Sequence, residues 1–221
     1  MIKFEPHVHS NHSDGRHSVR KILSEAIKKR IDVISITDHD TLNGSLEAIE
    51  VANEEHLPIS VILGVEVSTR NGHLLVYGIQ REIDRGMKMI ETIEIVKELG
   101  GFTVLAHPFE FYRHGSVRIE HFKYVDAIEV FNAKSYLNFL ANYFAKKYKK
   151  PPMAGSDAHN AQSVGYGLTL VDVGKDKLNI NDQEVFKEEV FNAIKNFNVK
   201  IEGEKIPLRS RFSKLNLDSV D

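Results

Sequence analysis

At least five short apolar runs of this chain stop at a histidine or a carboxylate, and they recur from the N-terminus to residue 159. The first leads into His7-Val8-His9, with Asp14 close behind. Alternate side chains of a strand share a face, so His7 and His9 point one way and Val8 points into the packing. Residues 32–37 deliver Asp38-His39-Asp40, and residues 59–67 carry Glu66 near their end. After the hairpin signal Asn71-Gly72, His73 opens the returning strand. Residues 102–106 deliver His107-Pro108, residues 125–130 lead to Phe131-Asn132, and residues 152–155 deliver Ser156-Asp157-Ala158-His159.

Helical patterns separate these runs. Ser18 is placed to cap a helix over 19–30, with Val19, Ile22, Leu23, Ala26 and Ile27 on one face. A second, with Leu46, Ile49, Val51 and Ala52, ends before Pro58, and Asp40-Thr41 is placed to cap it. Further helices are predicted over 84–99, ending at Gly100-Gly101, over 135–147 and over 182–196, with a last strand over 167–173 and a long aromatic and basic loop at 109–123. Strands alternating with helices predict an α/β fold with a parallel sheet. Metal-binding residue types at the ends of so many strands predict that the sheet closes into a TIM-like barrel with its chemistry at the C-terminal strand ends. One domain over 1–202 is expected, followed by a polar, basic tail over 203–221.

Composition narrows the function classes. A net charge of −2 gives no field favouring nucleic acid or an anionic membrane. The chain has no cysteine, so any metal takes nitrogen and oxygen ligands. No apolar run approaches the ~20 residues of a membrane span, and His7 comes too early for a signal peptide. A cytoplasmic location is expected. The run Lys146-Lys147-Tyr148-Lys149-Lys150 reads as a basic helix end complementing the macrodipole.

His7-Val-His9 with Ser13-Asp14-Gly15, Thr37-Asp38-His39-Asp40, Gly64-Val-Glu66, Gly72-His73, Ala106-His107-Pro108 and Gly155-Ser-Asp157-Ala-His159 together resemble the motifs of the PHP (polymerase and histidinol phosphatase) superfamily. The likeness runs from the N-terminus to about residue 172, and it is to the small stand-alone metal-dependent phosphoesterases. It implies a distorted (β/α)7 barrel with two or three divalent metal ions at its mouth. It further implies nine ligands. His7 and His9 would hold one metal with Glu66 and Asp157, and Glu66 would bridge to a second completed by His73 and His107. Asp14, His39 and His159 would form a third site, and Glu66, Asp157 and His159 would carry the catalytic step.

The residue chemistry agrees. Imidazole with carboxylate suits zinc, manganese or iron. A carboxylate such as Glu66 can bridge cations about 3.5–4 Å apart, and a water between them is acidified into a hydroxide nucleophile. The expected substrate is a phosphomonoester or phosphodiester of a small molecule or nucleotide, with nucleic acid a partner only as substrate and no membrane partner. Oligonucleotide end-processing, C–N hydrolysis and a non-catalytic metal-binding module are the alternatives. Arg113 with His114 is the leading candidate for holding phosphate, ahead of Arg16, Arg70 and Lys134. Asp38 is expected to orient an imidazole, His12 and His17 to shape loops, and His56 and His121 to lie on the surface.

Overall fold

The computed structural model describes residues 1–173 and 183–207. Among the described residues, ten strands form two five-stranded sheets, accompanied by five α-helices. The first contains β1 (Ile2–Val8), β2 (Val33–Ile36), β3 (Ser60–Val61), β9 (Gly167–Val171) and β10 (Val199–Gly203), in the order β10-β9-β1-β2-β3. The second runs β4 (Gly64–Thr69), β5 (Gly72–Tyr77), β6 (Phe102–Leu105), β7 (Ala127–Asn132) and β8 (Pro152–Gly155) in sequence order. The α/β class is as the sequence predicts. An all-parallel closed ladder is not what the pairing gives. β9 pairs antiparallel with both β1 and β10, and β4, β5 and β6 pair antiparallel in turn; the two-residue turn after Thr69 imposes this on β4 and β5, whereas β5 to β6 and β9 to β10 are joined by longer segments that each contain a helix. Single bridges, Val8 to Ala158 and His39 to Glu66, join the sheets at their two seams.

The helices follow their apolar faces. α1 (Val19–Lys28) starts at Ser18, whose hydroxyl accepts from the Lys21 N–H at 3.5 Å, and it buries Val19, Ile22, Leu23 and Ala26. It packs with α2 (Asn43–Glu54) on the first sheet. α3 (Met89–Glu98) and α4 (Asn138–Lys147) cover the second. α5 (Gln183–Lys195) packs Phe186, Val190 and Phe191 against Phe4 and Phe102, at the strand ends opposite the histidines. Tyr77 on β5 donates its hydroxyl to the Pro6 carbonyl at 2.9 Å, tying the sheets together through the interior.

Several boundaries differ from the sequence reading. The run 59–67 is broken into β3 and β4, and the helix predicted from 84 begins only at Met89, past Gly86 with φ at +78°. Asp40 does not cap α2: its carboxylate accepts from the Ser68 N–H at 2.6 Å, and Thr41 accepts from Asn43 instead. The loop 109–123 holds two 3₁₀ turns. β9 is not the last strand, since the alternating segment Val199–Gly203 adds β10. The expected tail therefore starts inside a strand, and Ile206 is buried. Residues 208–221 of that tail lie outside the described residues, as do 174–182. No helix among the described residues is long and apolar enough to cross a membrane.

Candidate metal centre

The ends of six strands meet at one pole of the molecule, and all nine side chains read from the sequence arrive there. Glu66 on β4 stands at the middle, almost fully buried. Its Oε1 faces His73 Nδ1 and His107 Nε2, both at 3.1 Å. Its Oε2 faces His9 Nε2 at 3.2 Å, His39 Nδ1 at 3.3 Å and His7 Nε2 at 3.4 Å. Asp157 Oδ1 lies 3.6 Å from His9 and 3.9 Å from His7. Asp14 reaches in from the loop after β1, with Oδ2 2.9 Å from His159 Nε2. Four overlapping groups have donor atoms spaced as one cation would need: His9, Asp14, His39 and His159; His7, His9 and Glu66; His7, His107 and Asp157; His39, Glu66 and His73. These regroup the sets implied by the resemblance, since His39 sits against Glu66 as well as Asp14.

Local backbone geometry aims these groups. His107 and Asp157 both adopt left-handed φ, 26° and 52°, conformations that non-glycine residues keep only when their surroundings over-determine them. Gly155 lets β8 approach β1: a Cβ there would stand 2.6 Å from His7 Cβ. Gly72, at φ +130°, closes the hairpin that turns His73 back toward Glu66.

The donor set fits divalent cations on its own terms. Nδ1 of His9, His39, His73 and His107 is buried without a hydrogen bond, although three of the four lie within 3.5 Å of a carboxylate oxygen. Buried polar atoms are nearly always satisfied. Ring nitrogens left without a hydrogen bond where carboxylates converge have the arrangement a nitrogen- and oxygen-liganded cation satisfies. Burial pushes His9 down to about 3, and His159 beside it adds to that, leaving a neutral imidazole. Burial alone would raise Glu66 and Asp157, but neighbouring cationic groups hold both well below the usual carboxylate range: His7 and His73 for Glu66, Arg113 and Lys134 for Asp157. Burial likewise pulls His7 down, yet Glu129, Glu66 and Asp157 hold it above its ordinary value.

The sequence reading missed Glu129. Its Oε1 accepts from His7 Nδ1 at 2.8 Å, and its Oε2 accepts from the His107 N–H at 2.7 Å and the Asn132 amide at 3.1 Å. The signal was available: an acidic residue inside an apolar strand is a buried charge needing a reason. Asp38 was misassigned. It binds no imidazole but accepts from Ser10 N, Ser10 Oγ and Ser13 Oγ, at 2.7, 2.6 and 2.6 Å, and so shapes the loop that carries Asp14. His12 pairs with Glu47 at 2.5 Å, and His17 accepts from the Ala161 N–H. His56 is exposed, but His121 is buried, with Nδ1 2.7 Å from Ser116 Oγ.

The cluster opens into an inner cavity of about 180 Å³, lined by His39, Glu66, His73, His107, Asp157 and His114. An outer vestibule of about 300 Å³ is lined by Arg16, Tyr112, Tyr136, Asn160, Ser163 and Ile206. Asp14, Arg113, Lys134 and His159 line both. Arg113 pairs with Asp157, and Lys134 Nζ lies 3.1 Å from Asp157 Oδ1 and 2.6 Å from His159 Nδ1. His114 packs against His73, the rings tilted by 31° with centroids 5.4 Å apart. Arg70 is exposed and lines neither space.

Residues 5–148 match the model of the PHP domain, and residues 136–196 that of a PHP-associated region. An uncharacterised protein of Methanocaldococcus jannaschii is 32% identical over 144 residues, covering 60% of this chain and 82% of that one. A 5′-3′ exoribonuclease of Haemophilus influenzae is 40% identical over 67 residues, 30% of this chain and 24% of its own length. Among solved structures, a two-domain protein of Bacteroides vulgatus containing a predicted PHP-like metal-dependent phosphoesterase superposes with a TM-score of 0.74 at 19% identity. That match covers 92% of this chain, which spans 65% of the two-domain protein.

Proposed function

This chain belongs to the PHP domain family, and from that premise we propose that it is a metal-dependent phosphoesterase acting on a phosphomonoester or phosphodiester of a small molecule or nucleotide. The observation that carries the reading is the placement of nine potential ligands around one cavity whose wall also holds Arg113 and Lys134. His7, His9, Asp14, His39, Glu66, His73, His107, Asp157 and His159 would hold two or three divalent cations. Bound there, the cations supply an acidified water and positive charge for phosphoryl oxygens. In this reading the domain spans residues 1–202, and the two sheets are the halves of a distorted (β/α)7 barrel. The two bridged seams favour that view.

The chain's own residues do the rest. Glu129 accepts a hydrogen bond from Nδ1–H of His7 and so keeps Nε2 as the nitrogen turned toward Glu66 and His9, available to a cation. Asn132 donates to both Glu129 and Asp157, fixing the carboxylates against each other. Arg113 and Lys134 present a guanidinium fork and an ammonium across the cavity, the two cation shapes that bind phosphoryl oxygens. The vestibule beside them has room for the rest of a small substrate.

The test joins metal to activity. Protein purified without chelator, and a His7→Ala/His9→Ala variant, are analysed for metal and assayed on phosphomonoesters, phosphodiesters, short oligonucleotides and amides. Two or three equivalents of metal with phosphoester hydrolysis lost in the variant is the expected result. Arg113→Ala should lower kcat/KM by roughly 10- to 100-fold, the worth of a hydrogen bond to a charged group. A metal-loaded protein that releases no phosphate and cleaves only amides would make it a C–N hydrolase.

A further inference from the structure

Glu5 is a fully buried acidic residue in the middle of β1, and it takes no part in the centre described above. A buried carboxyl group needs hydrogen-bond partners, and three backbone N–H groups supply them. Its Oε1 accepts from Ser156 at 3.1 Å and from His7 at 3.3 Å, and its Oε2 accepts from Gly165 at 2.8 Å. β8 pairs with β7 along one edge, and among the described residues no ladder joins its other edge to β1 or β9. Backbone pairing with β1 begins only past the end of β8, at the Val8–Ala158 bridge, where the His9 N–H donates to the Ala158 carbonyl at 2.9 Å. Before that point side chains close the seam. Thr169 Oγ1 on β9 accepts from the Ala154 N–H at 2.9 Å and donates to the Ala154 carbonyl at 3.0 Å. Glu5 takes the next N–H on that edge, that of Ser156. Alternate residues of a strand turn their N–H and C=O to the same edge, so 154 and 156 are the positions that a neighbouring strand would have bonded.

We propose that Glu5 is a positioning residue of the metal centre: its carboxyl group replaces the pairing that β1 and β8 do not make, and so fixes His7 and Asp157 at one spacing. The proposal rests on the metal-binding reading of the nine residues and adds what holds two of them in register. One oxygen, Oε1, is shared by the backbone N–H of His7 itself and that of Ser156, the residue before Asp157. Asp157 has φ 52°, a conformation its surroundings must hold, and the Ser156 N–H is the backbone anchor next to it. His7, His107 and Asp157 have donor atoms spaced for one cation, although His7 Nε2 and Asp157 Oδ1 face each other at 3.9 Å from opposite sides of the seam. Gly155, where a Cβ would stand 2.6 Å from His7 Cβ, keeps the seam narrow enough for Glu5 to span it. Thr169 clamps the same seam through Ala154, which is not a proposed ligand. It is therefore the control for a purely structural role.

Wild type, Glu5→Gln, Glu5→Ala and Thr169→Val are stripped with EDTA, checked for folding by melting curves and titrated with Co²⁺ against a chelating dye. Co²⁺ affinity should fall about tenfold in Glu5→Gln and about 10- to 100-fold in Glu5→Ala, the range for a partner standing behind a ligand. The visible Co²⁺ bands, whose intensity follows coordination number and geometry, should change in both. Thr169→Val should lower the melting temperature through the Ala154 groups left unpaired, yet keep Co²⁺ affinity within about twofold and the bands of wild type. Glutamine matches glutamate in size and keeps one acceptor oxygen, so Glu5→Gln decides the matter even where Glu5→Ala does not fold. Wild-type affinity and bands in Glu5→Gln overturn the role. So does a Thr169→Val that loses as much affinity as Glu5→Gln. A wild-type protein that takes up no Co²⁺ removes the metal-binding reading itself, a result distinct from a Co²⁺-loaded wild type whose Glu5 variants match it.

Discussion

Glu129 accepts from a ring nitrogen of His7 and from the backbone of His107, so one carboxylate sets the tautomer of one proposed ligand and the strand end of another. Glu129→Gln turns an acceptor facing the His107 N–H and the Asn132 amide into a donor. Metal affinity should fall about 10- to 100-fold with the fold retained, as read by competition with a chelating dye and by circular dichroism. His121 is a different kind of buried group. Burial pushes its pKa below 6.5, while Ser116 holds the ring in place. The unfolded chain therefore takes up the proton first. Its contribution to stability is present above pH 6.5 and is lost as pH falls through the lower folded value. Acid titration of melting temperature in the wild type and His121→Gln should converge as pH drops below 6.5. Parallel curves would show that His121 plays no part.

At the scale of elements, Glu110 joins the two loops that carry the cations of the cavity wall. Its Oε1 accepts from Ser135 Oγ at 2.5 Å and from the N–H groups of Tyr136 and Leu137 at 2.7 and 2.9 Å, while its carbonyl accepts from Arg113 and Gly115. The side chain is fully buried. Glu110→Ala should cost about 2–4 kcal/mol of stability through the donors left unpaired, measured by urea unfolding, and should raise KM more than it lowers kcat. Of the connections, the hairpin at Asn71-Gly72 and the Ser18 cap were legible because local chemistry decides them. The later start of α3, past Gly86 at φ +78°, and the split between β3 and β4 were not; at the split, the apolar Ile62 and Leu63 continue a strand pattern across the break in pairing.

Across the whole molecule, the proposed centre gathers groups from both sheets, and bound cations should hold those sheets together. A ligand at 100 times its Kd adds about 2.7 kcal/mol to folding, and in a domain of this size each kcal/mol moves Tm by about 2–4 °C. Chelation should therefore lower Tm by roughly 5–10 °C, reversibly on adding metal back, and by clearly less in His7→Ala/His9→Ala. The alternation of elements was legible in the chain because it rests on local apolar patterning, and the likeness of its short motifs to those of the PHP superfamily pointed to the nine residues that meet at the pole. The sequence also carried the absence of thiolate ligands. Long-range packing settled that the strands pair as two mixed sheets, that the two oxygens of Glu66 divide the imidazoles between them, and that Glu129 and Glu110 stand behind the site. Those depend on which distant strand end lies within about 3 Å of another, and a hydrogen-bond partner over 100 residues away leaves no periodic trace in the chain.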